Sequence, residues 1–284
     1  MTIGNLSDSG TPADGAASQN PASAYGGLWK AGIAAAVVAA AVLVFVSGCG
    51  KRDTRSSRSS DDDTSSERDG RKERGSHGKV QLWEDGPYWA ETNIGAEKPE
   101  DYGYYFWWGD TVGYKRMNGT WVASDGSLRF AFDMENTPTL GKSIDELKRD
   151  GWITKDGVLA PEHDAAHVHW GGDWRMPTDL ELKDLLEKCD WIWTTKNGVN
   201  GYVVRGKGNY ASASIFLPCA GLCVGTSLDY AGSLGYYWSS VPTSYDYPSW
   251  SLFFFSSNHD TLYYDRYFGF SVRPVQGFTK QRTK

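Results

Sequence analysis

The chain has 284 residues, of which 14% are aromatic, and its formal net charge is −6. The aromatic content excludes a disordered chain or a coiled coil, because both are poor in aromatic residues. The negative charge argues against a nucleic-acid-binding protein, whose contact face is basic. The chain has 33 glycines against 11 prolines, so we expect many tight turns within one loop-rich globular domain.

The N-terminal residues fall into two segments of different composition. Residues 1–27 are small and polar and show no apolar periodicity, so they cannot bury enough surface to offset the entropy of ordering. We predict that they are a disordered or mis-annotated leader. Residues 31–47 form an uncharged run rich in Ala and Val. Its length lies between the core of a signal peptide, about 7–15 residues, and a transmembrane helix of about 20.

The end of this apolar run decides between the two. Val46-Ser47-Gly48-Cys49 resembles the lipobox of bacterial lipoproteins, in which the cysteine is acylated and becomes the first residue of the mature protein. The resemblance implies a signal peptide at 28–49. Because a signal peptide that began at residue 1 would be unusually long, we expect translation to start near Leu28 at a non-ATG codon. It also implies a lipid-anchored protein of the bacterial cell envelope, at the outer membrane or cell surface. The alternative is an uncleaved anchor in which Cys49 is incidental.

Residues 50–78 differ again in composition. Lys and Arg alternate there with Asp, Glu and Ser, without aromatic or branched aliphatic residues, which is typical of a flexible solvated linker. We therefore place the folded domain at 79–277, followed by a basic tail at 278–284.

The domain begins with strands and turns and has three helices in its middle. Ser143 and Glu146 form a capping box for a helix that ends at Asp150-Gly151, and Thr178 with Glu181 forms another. A helix between them is predicted from Pro161 to about Val168. Helices with short strands on both sides predict an α+β fold with an antiparallel sheet. In the last helix Leu182, Leu185, Leu186 and Cys189 should face the core.

Several motifs along 79–277 resemble those of a known family, the Fibrobacter succinogenes major paralogous domain and its DUF1566 relatives. The most specific are Asp164-Ala165-Ala166 followed by Trp170-Gly171-Gly172-Asp173-Trp174-Arg175-Met176-Pro177-Thr178, then Tyr237-Trp238-Ser239-Ser240, and Gly269-Phe270-Ser271-Val272-Arg273-Pro274-Val275. The resemblance implies a C-type-lectin-like fold of the formylglycine-generating-enzyme type. Together with the lipobox it also resembles variable lipoproteins that diversity-generating retroelements mutate near the C-terminal end of the domain.

The motifs also have a purely physical interpretation. A guanidinium can stack on Trp and donate several hydrogen bonds to loop carbonyls, so we expect Arg175 and Arg273 to be buried or half-buried scaffold cations rather than ligand groups. We also expect a mainly structural role in the core for the tryptophans at 89, 107, 170, 174, 191 and 238.

The stretch from Ser244 to Phe268 is the candidate site. Tyr supplies large contact area at small entropic cost, and Ser, Asn and Asp adapt their hydrogen bonds, as in antibody paratopes. Apart from Trp250, its residue types are within reach of adenine mutagenesis of Asn codons, although that set is broad. The alternative is an aromatic-rich core strand with ordinary loops. The predicted ligand-binding residues flank the apolar pattern: Tyr245, Asp246, Tyr247, Asn258, His259, Tyr263, Tyr264, Asp265, Tyr267 and Phe268.

Other chemistry is weakly indicated. His163, His167 and His169 could share a helical face, but surface histidines are commoner than metal ligands, and we predict no metal, no cofactor and no catalytic residue. Related sequences imply a disulfide between Cys189 and Cys219, with Cys223 free. A redox pair of Cys219 and Cys223, as in an oxidase, is the less favoured alternative.

We therefore expect a monomeric envelope lipoprotein, not an enzyme, that binds a protein or glycan on another cell or phage. Its other contact is with the membrane through the lipid anchor, and no nucleic acid is expected. The alternatives are a structural or adhesive member of the same paralogous family with a fixed surface, and a divergent oxidase.

Overall fold

The computed structural model describes residues 77–127 and 132–277. They lie in the second of two units into which the chain divides, Gly70–Lys284. The predictions for the leader, the signal peptide with Cys49, most of the linker and the tail at 278–284 fall outside the described residues.

Short strands and three α-helices make up the regular structure of the described residues. The helices are Ile144–Arg149 (α1), Ala165–Trp170 (α2) and Asp179–Lys188 (α3), and 3₁₀ turns cover Pro161–His163 and Gly208–Tyr210. In chain order the strands are Lys79–Gln81 (β1), Tyr88–Ala90 (β2), Tyr105–Phe106 (β3), Tyr114–Met117 (β4), Thr120–Ala123 (β5), Trp174–Arg175 (β6), Asp190–Lys196 (β7), Val199–Arg205 (β8), Ser214–Pro218 (β9), Leu222–Val224 (β10), Ser227–Asp229 (β11), Gly235–Pro242 (β12), Pro248–Phe255 (β13), Asn258–Asp265 (β14), Phe270–Ser271 (β15) and Val275–Gln276 (β16).

The strands form four sheets. The largest has seven strands in the order β14-β13-β12-β15-β3-β4-β5, and the others have the orders β1-β2-β16-β6, β7-β8-β9 and β10-β11. All named pairs are antiparallel except β12 with β15. A mostly antiparallel β-structure with three helices agrees with the predicted α+β class.

Two of the hairpins have turns that the sequence encodes directly. Asn118-Gly119 joins β4 to β5, and Asn197-Gly198 joins β7 to β8. All four residues have positive φ, between 48° and 84°. Asn-Gly is the preferred pair for the type I′ turn, whose twist matches that of the flanking strands. These two turns therefore fix the register of the β4–β5 and β7–β8 hairpins.

Two of the three helix predictions are confirmed. Ser143 and Glu146 form a reciprocal capping box at α1, and Thr178 and Glu181 form one at α3. The buried face of α3 is also as predicted, because Leu182, Leu185 and Cys189 are buried and Leu186 packs against the same core cluster.

The middle helix differs from its prediction. The segment predicted as one helix from Pro161 to Val168 is a 3₁₀ turn followed by the separate helix α2, and the break is at Asp164. The Asp164 carboxylate accepts hydrogen bonds from the backbone N–H groups of Ala166 and His167 and so caps α2. It also accepts from the N–H of Met176 at 2.9 Å, which ties β6 to the start of the helix.

The main core lies between α3 and the large sheet. Tyr237, Leu252 and Phe254 point from the sheet into one cluster with Leu182 and Leu185 of α3. Of the six tryptophans predicted as core, those at 89, 174 and 238 are buried. Those at 107, 170 and 191 are half-buried. Trp107 and Trp191 pack against core clusters, and Trp170 packs edge-on against Trp174, so these three lie at the margin of the core.

Arg273 confirms the predicted scaffold role. Its fully buried guanidinium donates to the carbonyl oxygens of Ala90, at 3.1 Å, and Phe216, at 2.9 Å, and to the Asn93 side chain at 2.9 Å. Burial lowers the pKa of Arg273 to about 10, so the group stays charged at neutral pH. Arg175 is half-buried and holds the Glu181 carboxylate through two bonds of 2.8 and 2.6 Å.

We predict that Asp164 makes stability depend on pH. Burial raises the pKa of its carboxyl to about 6 from an ordinary 3.8. The native state therefore binds a proton more readily than the unfolded chain between these values, and stability falls as the pH rises through them. Relative to Asp164→Asn, which keeps an acceptor oxygen, the wild-type free energy of unfolding should drop by up to about 3 kcal/mol from pH 4 to pH 7.

Urea unfolding of both proteins at several pH values measures this difference. Asp164→Ala is the companion variant; relative to Asp164→Asn, which also lacks the titrating carboxyl, it should lose about 1–2 kcal/mol at every pH because the helix cap is gone. Parallel curves for the wild type and Asp164→Asn would refute the assignment.

Candidate ligand-binding surface

The predicted site lies on the last hairpin of the large sheet, formed by β13 and β14. Its eight residue pairs run without interruption from Phe255 opposite Asn258 to Pro248 opposite Asp265. Ser256-Ser257 forms the turn. Since the pairs span seven steps of about 3.3 Å, the two ends of the hairpin are about 23 Å apart. The ten predicted residues therefore do not form one continuous surface.

The alternation of side chains divides the hairpin into two faces. Residues directly opposite each other in a pair share a face, so Thr261 lies beside Leu252 and Tyr263 beside Trp250 on the side of α3. The residues between them, including Asp260 and Tyr264, lie on the other face together with Phe253 and Ser249.

Exposed tyrosines gather at the end of the hairpin near the β12–β13 loop. Tyr245 is 62% exposed, Tyr263 51% and Tyr247 36%. The ring centroids of Tyr245 and Tyr263 are 6.2 Å apart, and Trp250 meets Tyr263 edge-on at 5.7 Å. With the exposed Asp246 these residues are called the tyrosine surface: Tyr245, Asp246, Tyr247, Trp250 and Tyr263.

The backbone of the tyrosine surface is fixed from below by Arg266, which is fully buried. Its guanidinium donates to the carbonyl oxygens of Thr139, at 2.7 Å, Lys142, at 3.0 Å, and Tyr245, at 3.3 Å. The Arg266 backbone N–H donates to the carbonyl of Tyr247. Burial lowers the pKa of Arg266 to about 10, so it remains a cation at neutral pH.

The two predicted residues at the turn end belong to a different environment. Asn258 is exposed. His259 stacks on Trp191 with ring centroids 4.6 Å apart and an interplanar angle of 8°, and it also contacts Tyr202. Burial lowers the pKa of His259, so it is neutral at physiological pH. His259 therefore covers the edge of the core, and its role in ligand binding stays a prediction.

The remaining four predicted residues are half-buried. Tyr264 packs edge-on against Tyr236 at 5.3 Å and Phe270 at 5.4 Å, and burial raises the pKa of its hydroxyl. It contributes to packing, and its role in ligand binding stays a prediction. Phe268 stacks on Tyr267 at 4.5 Å and continues the same aromatic series. Asp265 ends β14, and burial raises the pKa of its carboxyl.

Sequence reasoning missed two members of this region. Trp250 was set aside, although its ring lies between Tyr263 and the ammonium group of Lys183, which is 5.4 Å from the ring centroid. Arg266 was not singled out, yet it is the sole Lys or Arg between Ser244 and Phe268. A lone cation in an aromatic stretch was the available signal for a buried anchor.

The predicted disulfide is contradicted. Cys189, Cys219 and Cys223 are all free thiols. Cys189 immediately precedes Asp190, which pairs with Arg205, the last residue of β8. The Cys219 N–H, in contrast, donates to the carbonyl oxygen of Asn200, the second residue of β8. Five residues of strand span about 16 Å, well beyond the 7 Å between Cα atoms that a disulfide allows. Burial raises the pKa of Cys189 and Cys219 to about 12 and that of Cys223 further, which does not suit a redox pair.

The three histidines lie in separate surroundings. His163 stacks on Trp152 at 3.9 Å, and Nε2 of His169 lies 2.9 Å from the carbonyl oxygen of Thr111. His167 lines a cleft of about 460 Å³ beside β6. Within residues 77–127 and 132–277, no group of three His, Cys, Asp or Glu side chains is arranged to hold a metal ion. Asp164 and Arg175, which line the cleft, are engaged in the structural bonds described above, and the exposed Asp173 lines it as well.

We predict that Arg266 is essential for stability. Arg266→Met should lower the free energy of unfolding by about 3 kcal/mol or more, because several buried carbonyls lose their donor and each costs about 1–3 kcal/mol. Arg149→Met, at a side chain that is 68% exposed, is the control and should change it by less than about 0.5 kcal/mol. Urea denaturation measures both. Equal effects of the two substitutions would rule out the anchoring role.

We also predict that all three domain thiols alkylate in the unfolded chain without reductant. Mass spectrometry after iodoacetamide treatment in guanidinium should find the label on Cys189, Cys219 and Cys223 separately. In the folded protein labelling should be slow, since buried thiols with raised pKa values carry little thiolate. A peptide pair linked through Cys189 and Cys219 would contradict the register argument.

Among the described residues, the structure contains no helix with the length and apolar character needed to cross a membrane. Comparisons with family models, with curated proteins and with solved structures find no significant match to this chain. Its own geometry is therefore the basis for a functional proposal.

Proposed function

We propose that this chain is a lipid-anchored envelope protein that binds a ligand through the tyrosine surface and has no enzymatic role. The observation that carries the proposal is the exposure of Tyr245 and Tyr263, at 62% and 51%, on a backbone held by the buried Arg266. Burying a tyrosine ring is favourable, so three exposed rings at one place leave binding energy for a partner.

The fixed backbone under the tyrosine surface favours a role in binding a partner over a role that is limited to keeping the protein soluble. Tyrosine loses little side-chain entropy on binding, and a fixed backbone reduces the ordering cost further. Asp246 supplies a charged group at the same surface, as expected of a rim that selects its partner by hydrogen bonding. The lipobox at Cys49 supports presentation at the cell envelope.

The finer assignment of the fold is also part of this proposal. We infer a C-type-lectin-like domain of the formylglycine-generating-enzyme type from the motifs between Asp164 and Val275. The antiparallel sheets and the three capped helices are compatible with it. Retroelement diversification of Ser244–Phe268 belongs to the same proposal, and a template repeat with a reverse-transcriptase gene beside the locus would support it. Without them, a fixed adhesive surface is the better interpretation.

Truncating two rings of the tyrosine surface should weaken binding without unfolding the protein. We expect the double variant Tyr245→Ala/Tyr263→Ala to lose at least about tenfold in affinity for ligands selected by the full chain from a glycan array and a displayed peptide library. Its melting temperature should stay within a few degrees of the wild type, because both rings are exposed.

Tyr88→Ala is the matched control, since Tyr88 is 40% exposed on a different sheet. It should bind the selected ligands as the wild type does. If the double variant kept full affinity, the tyrosine surface would not be the binding site; if it unfolded, its rings would be structural.

A further inference from the structure

The hairpin that carries the tyrosine surface ends the large sheet. Within the part of the chain that the structure describes, β14 has a strand neighbour on one side only, which is β13. Strand edges present a row of backbone donors and acceptors to any segment that can lie alongside them. The question is whether this edge is blocked or available.

The register shows which backbone groups face outward. Phe255 and Asn258 close the two-residue turn, so the N–H and C=O groups of Asn258 point toward β13. Because direction alternates along a strand, those of His259, Thr261, Tyr263 and Asp265 point away from it. The outward N–H of Thr261 is bonded to the Asp260 carboxylate at 2.7 Å, and the carbonyl of Asp265 accepts from Phe268.

Three outward N–H groups remain, those of His259, Tyr263 and Asp265. None of them donates to a partner within residues 77–127 or 132–277. The first two are four residues apart, or about 13 Å, and so match two outward positions of an added strand. Tyr263 is also a member of the tyrosine surface, so a segment bonded to its backbone would lie beside the exposed rings.

The strand lacks the usual protection of an edge. Its sequence from Asn258 to Asp265 contains no proline, lysine or arginine, and all eight pairs with β13 are regular, with no bulge. Natural edge strands are commonly short, bulged, or marked by Lys or Pro, because long regular edges invite pairing. Along this strand, Asp260 has the one side chain that accepts a hydrogen bond from an outward backbone N–H, and so takes a donor that an added strand would otherwise use.

The charges beside the edge are mainly negative. Asp246 and Asp260 are exposed, and Asp265 is half-buried. The neighbouring cations are Lys183, which lies over Trp250, and Arg266, which is buried on carbonyl oxygens. A second copy of the chain would bring another acidic β14 against this one. A basic segment would instead gain attraction at each carboxylate.

We propose that β14 takes up an extended peptide rich in Lys or Arg, which adds to the large sheet as a further strand beside the tyrosine surface. This inference rests on the proposed function and names the partner class. The backbone hydrogen bonds come from the outward groups of His259 and Tyr263. Selectivity comes from the carboxylates and from the rings of Tyr245 and Tyr263, which would pack on the aliphatic stems of the partner's cations.

The test uses the full chain and a capped octapeptide of alternating Lys and Thr. Amide hydrogen exchange, read by NMR, should slow specifically at His259 and Tyr263. At a peptide concentration of about 100 times the Kd, the slowing should be about 100-fold. The corresponding Glu–Thr octapeptide, and a Lys–Thr octapeptide methylated on alternate backbone nitrogens, should bind at least about tenfold more weakly.

Thr261→Pro is the blocking variant, since proline removes an outward N–H and places its ring where the partner's backbone must lie. Its inward pairing with β13 does not use that N–H. Thr261→Val is the matched control, because valine keeps the N–H and the β-branched shape. Peptide affinity should fall at least about tenfold in the first variant and stay unchanged in the second. Inward amides of Asp260 and Leu262 must remain protected in both, which shows that the hairpin is intact.

The outcomes separate this inference from the proposed function. Failure of the Lys–Thr octapeptide to bind, or binding without protection of His259 and Tyr263, overturns strand addition and leaves side-chain recognition by the tyrosine surface standing. Protection that grows with protein concentration in the absence of peptide makes a second copy the occupant and also overturns it. Protection that persists in Tyr245→Ala/Tyr263→Ala supports strand addition and removes the tyrosine surface as the binding site.

Discussion

Two buried guanidinium groups hold together a domain in which much of the backbone is irregular. Carbonyl oxygens in loops do not form the hydrogen bonds that join paired strands, so each needs another donor when it is buried. Arg273 supplies donors to Ala90 and Phe216, and Arg266 supplies them to Thr139 and Tyr245. These bonds join positions separated by 21 to 183 residues along the chain. A planar group with five N–H donors can connect several loops at once, which lysine cannot do.

The same interaction explains how the protein can expose aromatic rings without losing order. Rings that pack in the core stabilise the sheet, as Phe254 and Tyr264 do from opposite faces of the hairpin. The rings of Tyr245 and Tyr263 contribute little to the core because they are largely exposed. Their positions depend on Arg266 and on the β13–β14 register. The aromatic richness of the sequence therefore serves two separate purposes, packing and presentation.

Local features of the fold could be predicted from the sequence, whereas features that depend on distant pairing could not. The capping boxes at Ser143 and Thr178 involve residues three positions apart, so the pattern determines the contact. Whether a tyrosine of β14 faces the core depends on which strand pairs with it and what covers each face. Tyr263 and Tyr264 are neighbours with similar surroundings in sequence, yet only the first is exposed.

The disulfide prediction failed for the same reason. Cys189 and Cys219 lie at opposite ends of β8, and that separation follows from the register of two hairpins rather than from any local pattern. Among the ten predicted binding residues, the exposed tyrosines at 245, 247 and 263 lie in or next to the loop held by Arg266. The burial of Arg266 itself could not be predicted, because its carbonyl partners Thr139 and Lys142 are more than 120 residues away.

Anchoring through carbonyl oxygens makes the loop tolerant of sequence change. Arg266 contacts the main chain of Tyr245 and Tyr247 and not their rings. Every amino acid offers the same carbonyl, so a substitution at either position would leave these bonds in place. The recognition chemistry can thus evolve separately from the folding free energy, and a new specificity at 245 or 247 need not be accompanied by a compensating mutation elsewhere.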